Sequence, residues 1–335
     1  MATKVKGSSW NSVDTLGYAC ILDYAAPTDG VSDCSTALAL ALATGAPVYI
    51  PPGTYVIGAF IPASGSIIFG AGRTSILKAL AGINTALIQL NTLTNVILRN
   101  FAINGNKANQ AGVGCHGVYV LGGSNHQLDN LYIYNTLGDG INIAGTCTDV
   151  FIRRPEITGF VKNGITIEKG SRYTLIEPNV YSSDGAANPG DGIQILPTAA
   201  PDSIASVVIQ GGRSRSCVGR GLAIVGFGSK NVTNVTVHNF VAESCTSHGI
   251  HLLTTEKVLI NGGMARSNGG DGYRLEGDTQ NSRVLHAITE GNTGFGCREI
   301  VSGSTPNLND LVGMVSTGNG TNTITKVGAG SLIPY

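Results

Sequence analysis

Asp139, Asp191 and Asp271 each stand directly before a glycine, as do His116 and His248. Asn163, Arg220 and Phe295 hold the same position before three further glycines. The eight glycines are 117, 140, 164, 192, 221, 249, 272 and 296, with intervals of 23 to 29 residues. Two places after them come Tyr119, Asn142, Thr166, Gln194, Ala223, His251, Arg274 and Arg298. If each interval is one turn of a solenoid, each set is a column, with neighbours about 4.8 Å apart and next neighbours about 9.6 Å apart. Such distances suit glycosidic hydrolysis, where two carboxyl groups sit roughly 5–5.5 Å apart for retention and about 6.5–9.5 Å for inversion. Asp191 has Asp139 two turns away, and Glu168 one turn away and two positions further along its strand. Either pair suits an inverting geometry, with one carboxyl raised in pKa by burial under bound sugar.

His248 is placed to hold or relay a proton, and Arg220 or Arg274 to bind an acidic sugar. Tyr119, Asn142, Asn163, Gln194, His251 and Asp271 complete the expected substrate contacts. The bland alternative is substantial, because Asp-Gly is also ordinary turn chemistry and the two histidines suit a plain surface. Elimination from a uronate would need its charge neutralised and a base for the C5 proton. The aspartates of the column are interrupted by Asn163, Arg220 and His248, which weakens a calcium cluster. No P-loop, dinucleotide fingerprint or H-E-x-x-H motif occurs, and no metal or cofactor is expected.

The elements that must position these columns follow from the repeat. HGVYV, DGINI, NGITI, DGIQI, RGLAI, HGIHL and DGYRL alternate in the manner of a short strand, with flanking aliphatics such as Ile141 and Ile143 inward and the residue between them outward. A second apolar run follows in each repeat, for example HQLDNLYIY (126–134) and DVFIRRPEI (149–157), so each coil reads as strand, turn, strand, turn. RSCVGRG, ESCTSHG, RSNGGDG and EGNTGFG are four copies of one turn and stack Cys217 on Cys245 and Asn268 on Asn292. The repeating glycine needs either a positive φ or space that a Cβ would fill. The fold class is therefore all-β, a right-handed parallel β-helix with a short N-terminal capping helix. Residues 33–44, DCSTALALALAT, with Asp33 as N-cap, are that helix. The expected divisions are an arm over 1–28, the β-helix over 29–302, and a closing segment over 303–335.

Composition narrows the partners. Twenty-one basic residues balance 21 acidic ones, so no basic stripe faces nucleic acid. No stretch is long and apolar enough to span a membrane. MATKVKGSSWNSV lacks a secretory pattern, so exit by a route without that signal, such as lysis, is expected. Seven cysteines without a CxxC pair read as free, mostly buried thiols.

DYAAPTDGVSDCSTALALALATGAPVYIPPGTYVI (23–57) resembles the N-terminal segment of the pectate-lyase-like β-helix family that includes phage tailspikes. The shared pattern is an extended strand, a TDGVSD turn, a short helix and VYIPPGTY. GDGIQI and SHGIHL are similar to the aspartate and histidine strands of polygalacturonases, although here the Arg220 coil intervenes. The DPHE motif of the mannuronan epimerases in the family is absent, which demotes that activity. The resemblance implies a tailspike-like glycoside hydrolase acting on a bacterial surface glycan, whether capsule, O-antigen or exopolysaccharide. Its alternatives are a nonenzymatic glycan-binding spike and a polysaccharide lyase. It also implies a homotrimer on a virion tail, attached to other tail proteins and outside the cell.

Overall fold

The computed structural model describes residues 17–184, 190–199, 201–228, 230–301 and 308–325. The chain winds into a right-handed parallel β-helix of about 11 turns with one short α-helix. Residues 1–16 of the expected arm, and residues 302–307 and 326–335 at the far end, lie outside the described residues. Each coil has three strands rather than two. Sheet A carries the strands after the glycines (Ile141–Ile143, Ile165–Ile167, Ile193–Ile195, Leu222–Val225, Ile250–Leu253, Tyr273–Gly277), and every pairing between coils is parallel. The second apolar run divides into a sheet B strand, such as Cys147–Arg153, and a three-residue sheet C strand, such as Glu156–Thr158. The division falls at a left-handed residue in each coil: Asn130, Arg154, Glu177, Gly211, Asn239, Gly262, His286 and Gly313, with φ between 46° and 72°. Arg and Glu are poor signals for that conformation, so the apolar pattern alone reads through the corner.

The repeating glycines serve the second of their two uses. None of the eight has a positive φ. A Cβ on Gly117, Gly140, Gly164, Gly192, Gly221, Gly249 or Gly272 would stand 2.6–2.7 Å from the carbonyl oxygen of the next glycine in the column. The same Cβ would press on the central side chain of sheet C, Ile133 at Gly117 and Ala242 at Gly221. Close approach of sheets A and C, not backbone strain, fixes the residue.

Inside, the aliphatics pair like on like, Ile141 with Ile165 with Ile193, and all are fully buried. Each exchanges a large apolar area for its neighbours' side chains, at about 1.5–3 kcal/mol per fully buried Ile or Leu. Tyr273 fills the core, as its register demands. Asn268 and Asn292 stack as expected, each donating through Nδ2 to the next asparagine, 2.8 Å to Asn292 and 2.7 Å to Asn319. All seven cysteines are free, and all but Cys20 are buried.

The capping helix is Ser35–Leu42, with Leu38 and Ala41 buried against the first coil. Asp33 accepts the Ser35 N–H at 2.8 Å, while Cys34 occupies the residue before the helix. At the far end, Asp310–Val312, Val315–Thr317 and Thr321–Thr325 stack on the preceding coil through all three sheets. No helix among the described residues is long and apolar enough to cross a membrane.

Candidate functional site

The glycine intervals set the register. Tyr119, Asn142, Thr166, Gln194, Ala223, His251, Arg274 and Arg298 are successive partners across the outer face of sheet A. The pre-glycine column runs along one edge of that face and is tied together by an unexpected device. Each side chain with an acceptor takes the backbone N–H of the next residue in the column. His116 Nδ1 accepts from Asp139 N at 2.9 Å, Asp139 Oδ1 from Asn163 N at 2.8 Å, Asn163 Oδ1 from Asp191 N at 2.9 Å, and Asp191 Oδ1 from Arg220 N at 2.7 Å. After Arg220, which has no acceptor to offer, the ladder resumes: His248 Nδ1 accepts from Asp271 N and Asp271 Oδ1 from Phe295 N, both at 2.8 Å. Asp-Gly at this register is therefore turn chemistry in its own right, and Asp139, Asp191 and Asp271 are all buried.

Two polar clusters rest on this ladder. In the first, Asn142 Nδ2 donates to Asp139 Oδ2 at 2.7 Å and to Glu168 Oε1 at 3.0 Å. One nitrogen thus holds both carboxyl groups, and their two oxygens lie less than about 6 Å apart, the sum of those distances. Burial pushes the Glu168 carboxyl above its ordinary pKa and the Asp139 charge adds to the rise, while the Asn142 bond opposes it. His116 stacks on Tyr119 with ring centres 5.4 Å apart. Asp139 Oδ2 also lies 3.2 Å from His116 Nδ1. That nitrogen's lone pair takes the Asp139 N–H, which leaves the proton of the neutral ring on Nε2. Tyr119 keeps its proton more tightly than usual, chiefly through burial and then through Glu168.

The second cluster begins at Asp191. Its carboxylate receives Arg220 Nε at 3.0 Å and Nη2 at 2.7 Å, and Gln194 Nε2 at 3.1 Å. With the Arg220 N–H, these bonds occupy both oxygens. Arg220 Nη1 stands 3.0 Å from His251 Nδ1, and His251 Nε2 stands 3.1 Å from Glu276 Oε2. A guanidinium can only donate, so His251 is neutral, accepts at Nδ1 and donates from Nε2 to Glu276. Burial, followed by the Arg220 charge, brings its pKa down to about 3. Arg274 grips Glu276 through Nε at 2.9 Å and Nη2 at 3.1 Å. His248 is held neutral mainly by burial, and its Nδ1 is committed to Asp271 N–H. Relaying a proton through its ring would break that bond, so His248 serves better as an Nε2 donor. An open concavity lined by Asp191, Gly219, Arg220, Ser247, His248 and His251 marks this part of the groove.

Of the four residues expected to carry the chemistry, Asp139 and Glu168 come together through Asn142, while Asp191 and His248 lie in the second cluster. Asn163 bridges the two, donating from Nδ2 to Thr166 Oγ1 at 3.0 Å and to Gln194 Oε1 at 3.1 Å. Glu276 was missed. It stands four residues after Gly272 as Glu168 stands four after Gly164, so the signal that picked out one would have found the other. Among the described residues no group of three or more His, Cys, Asp or Glu side chains is gathered as a metal ion would need.

The chain is similar, at 28% identity over 229 residues, to the pre-neck appendage protein of Bacillus phage phi29, matching 58% of this chain but about a quarter (26%) of that relative's length. In fold it is similar to the A-module of a mannuronan C-5 epimerase from Azotobacter vinelandii (TM-score 0.76, 16% identity, 94% of this chain and 100% of that one). It is likewise similar to full-length tailspike protein 2 of an Escherichia coli O157:H7 bacteriophage (TM-score 0.67, 13% identity, 96% and 46%). Residues 19–302 match the family described as rhamnogalacturonase A/epimerase, pectate lyase-like, and the chain belongs to that family.

Proposed function

We propose that the chain is the glycan-cleaving β-helix of a virion tail appendage, a glycoside hydrolase acting on a bacterial surface polysaccharide with Glu168 as its general acid. The observation that carries this is the shared Asn142 nitrogen. It sets a half-buried carboxyl with raised proton affinity beside a second, buried carboxyl, the environment that keeps a carboxylic acid protonated for donation. Asp139 acts through Glu168, because its negative charge favours the proton on its neighbour. The separation of under about 6 Å leaves less room than the roughly 6.5–9.5 Å an inverting pair needs for its water, so the inverting expectation finds no support in this pair. Similarity to a phage appendage and a tailspike supports the virion setting, where a homotrimer joined to other tail proteins and placed outside the cell is part of the same proposal.

A second reading, a spike that grips glycan without cutting it, is favoured by one observation. The backbone ladder already accounts for every Asp-Gly of the column. Incubation with capsules, O-antigens and exopolysaccharides separates the readings. New reducing ends without unsaturated uronate absorbance are expected. Unsaturated products would mean a lyase, and binding with neither product would leave a spike. Glu168→Gln should slow the release of new reducing ends by about 10²–10⁴ while retaining the polymer.

A further inference from the structure

We infer that the groove on sheet A is built for an uncharged glycan and discriminates against polyanions; this rests on the groove being the glycan site proposed above. The arginines that promised to hold an acidic sugar are already spent. Arg220 is clasped through two of its nitrogens by Asp191, and its third faces His251. Arg274 is clasped through two nitrogens by Glu276, with Asp271 Oδ2 3.6 Å from the third. A guanidinium whose fork is filled by a carboxylate has little left for a second one.

From His116 to Glu276, with Glu168 counted as the protonated acid, four carboxyl groups, Asp139, Asp191, Asp271 and Glu276, stand against three cations, Arg220, Arg274 and Lys162; one coil further on, Arg298 lies over the Phe295 ring, 4.7 Å from its centre. The Lys162 charge helps to draw the proton off Glu168. Both histidines of the second cluster are held neutral, so they add no positive charge. Nor does the rest of the chain supply a steering field, with 21 basic residues against 21 acidic. A polymer with a carboxylate on each residue would find Arg220 and Arg274 already clasped and no net positive charge from His116 to Glu276. What the groove does offer suits hydroxyl groups: the donor nitrogens of His116 and His248 and the stacked Tyr119 ring.

The test is affinity electrophoresis of the whole chain in gels containing bacterial surface polysaccharides of known composition. Each uronate polymer is run both native and carboxyl-reduced, at low and high salt. Retention by neutral polymers, with carboxyl-reduced forms held at least as well as native ones, is the expected result. Tighter, salt-sensitive retention by the native uronates would overturn the inference and leave the glycan site standing. No retention by any polymer would sink the site proposal and this inference with it. A second measurement needs no natural ligand: Glu276→Gln frees Arg274 while still accepting the His251 Nε2–H, and polygalacturonate retention should rise about tenfold over the parent. Unchanged retention in that variant would mean that Arg274 is not neutralised by Glu276, and the inference falls.

Discussion

Replacing Asp191 separates a turn residue from a catalytic one. Its carboxylate takes the Arg220 N–H at 2.7 Å, two guanidinium bonds at 3.0 and 2.7 Å, and the Gln194 amide at 3.1 Å. Asp191→Ala removes all four and leaves a largely buried cation unpaired. Stripping one partner from a buried ion pair costs about 3–5 kcal/mol, and the 22% exposure of the Arg220 side chain discounts that to about 2–3 kcal/mol. Asp191→Asn keeps an oxygen for the Arg220 N–H. The fold already shows that asparagine fits there, because Asn163 takes the Asp191 N–H in the same way one coil earlier. The Nδ2 that replaces Oδ2 cannot accept from Arg220 Nη2 or Gln194 Nε2, so those two bonds go with the charge, at about 1–3 kcal/mol. The assay is urea unfolding followed by far-UV circular dichroism, paired with a reducing-end assay on the cleaved polymer. The expected order of stability is parent, then Asn, then Ala, with the Asn variant within about tenfold of parent turnover. An Asn variant that unfolds at the parent's urea midpoint yet loses a thousandfold or more in turnover would refute this reasoning and return Asp191 to the catalytic step.

Four further outcomes follow from the same geometry. Glu168→Gln should cost about 10²–10⁴ in turnover, the usual worth of general acid catalysis. Because the Glu168 pKa is raised, parent turnover should fall on the alkaline side as pH climbs through that raised value, while Asn142→Ala, which removes the bond that opposes the rise, should move that limb to higher pH. Gly164→Ala should destabilise by about 1–3 kcal/mol, since its Cβ would stand 2.6 Å from the Gly192 carbonyl oxygen; a drop in urea midpoint checks it. His126 is fully buried on the inner face of sheet B, and burial lowers its pKa. The unfolded chain therefore binds a proton that the folded chain refuses once pH falls below about 6.5, so stability should decline between pH 7 and pH 5, and His126→Leu should flatten that decline in urea midpoints.

Much of this architecture is legible in the sequence. The glycine intervals located Ile141, Ile165 and Ile193 on one inner column and Asn142, Thr166 and Gln194 on one outer column, because a parallel solenoid has a single way to bring close-packed glycines into line. The third strand was not legible. The corners that create it sit at Asn130, Arg154 and Glu177, and a left-handed Arg or Glu leaves no mark in an apolar pattern. The site was half legible. Glu168 stands two positions beyond the column and one coil from Asp191, which marks it in the sequence, whereas the role of Glu276 at the equivalent place depends on its contacts with Arg274 and His251, which the repeat does not encode.

The ladder explains why the chemistry moves off the column that first drew attention. A residue before the glycine sits where the next coil's N–H must be satisfied, and a buried N–H left without a partner costs about 1–3 kcal/mol. Asp, Asn and His meet that demand with an acceptor, so the column selects them whether or not a reaction is to follow. Between His116 and Asp271 Arg220 alone lacks an acceptor, and its guanidinium turns back onto Asp191 instead. Carboxyl groups free to change protonation must then come from positions that owe the backbone nothing. Two residues beyond the outward column the side chain still faces the groove, and there stand Glu168, with its proton affinity raised, and Glu276, held ionised by Arg274. The same sheet face thus carries an acid and a fixed anion at equivalent registers four coils apart, and the difference between them is the arginine beside one and, for the other, its burial and the aspartate beside it.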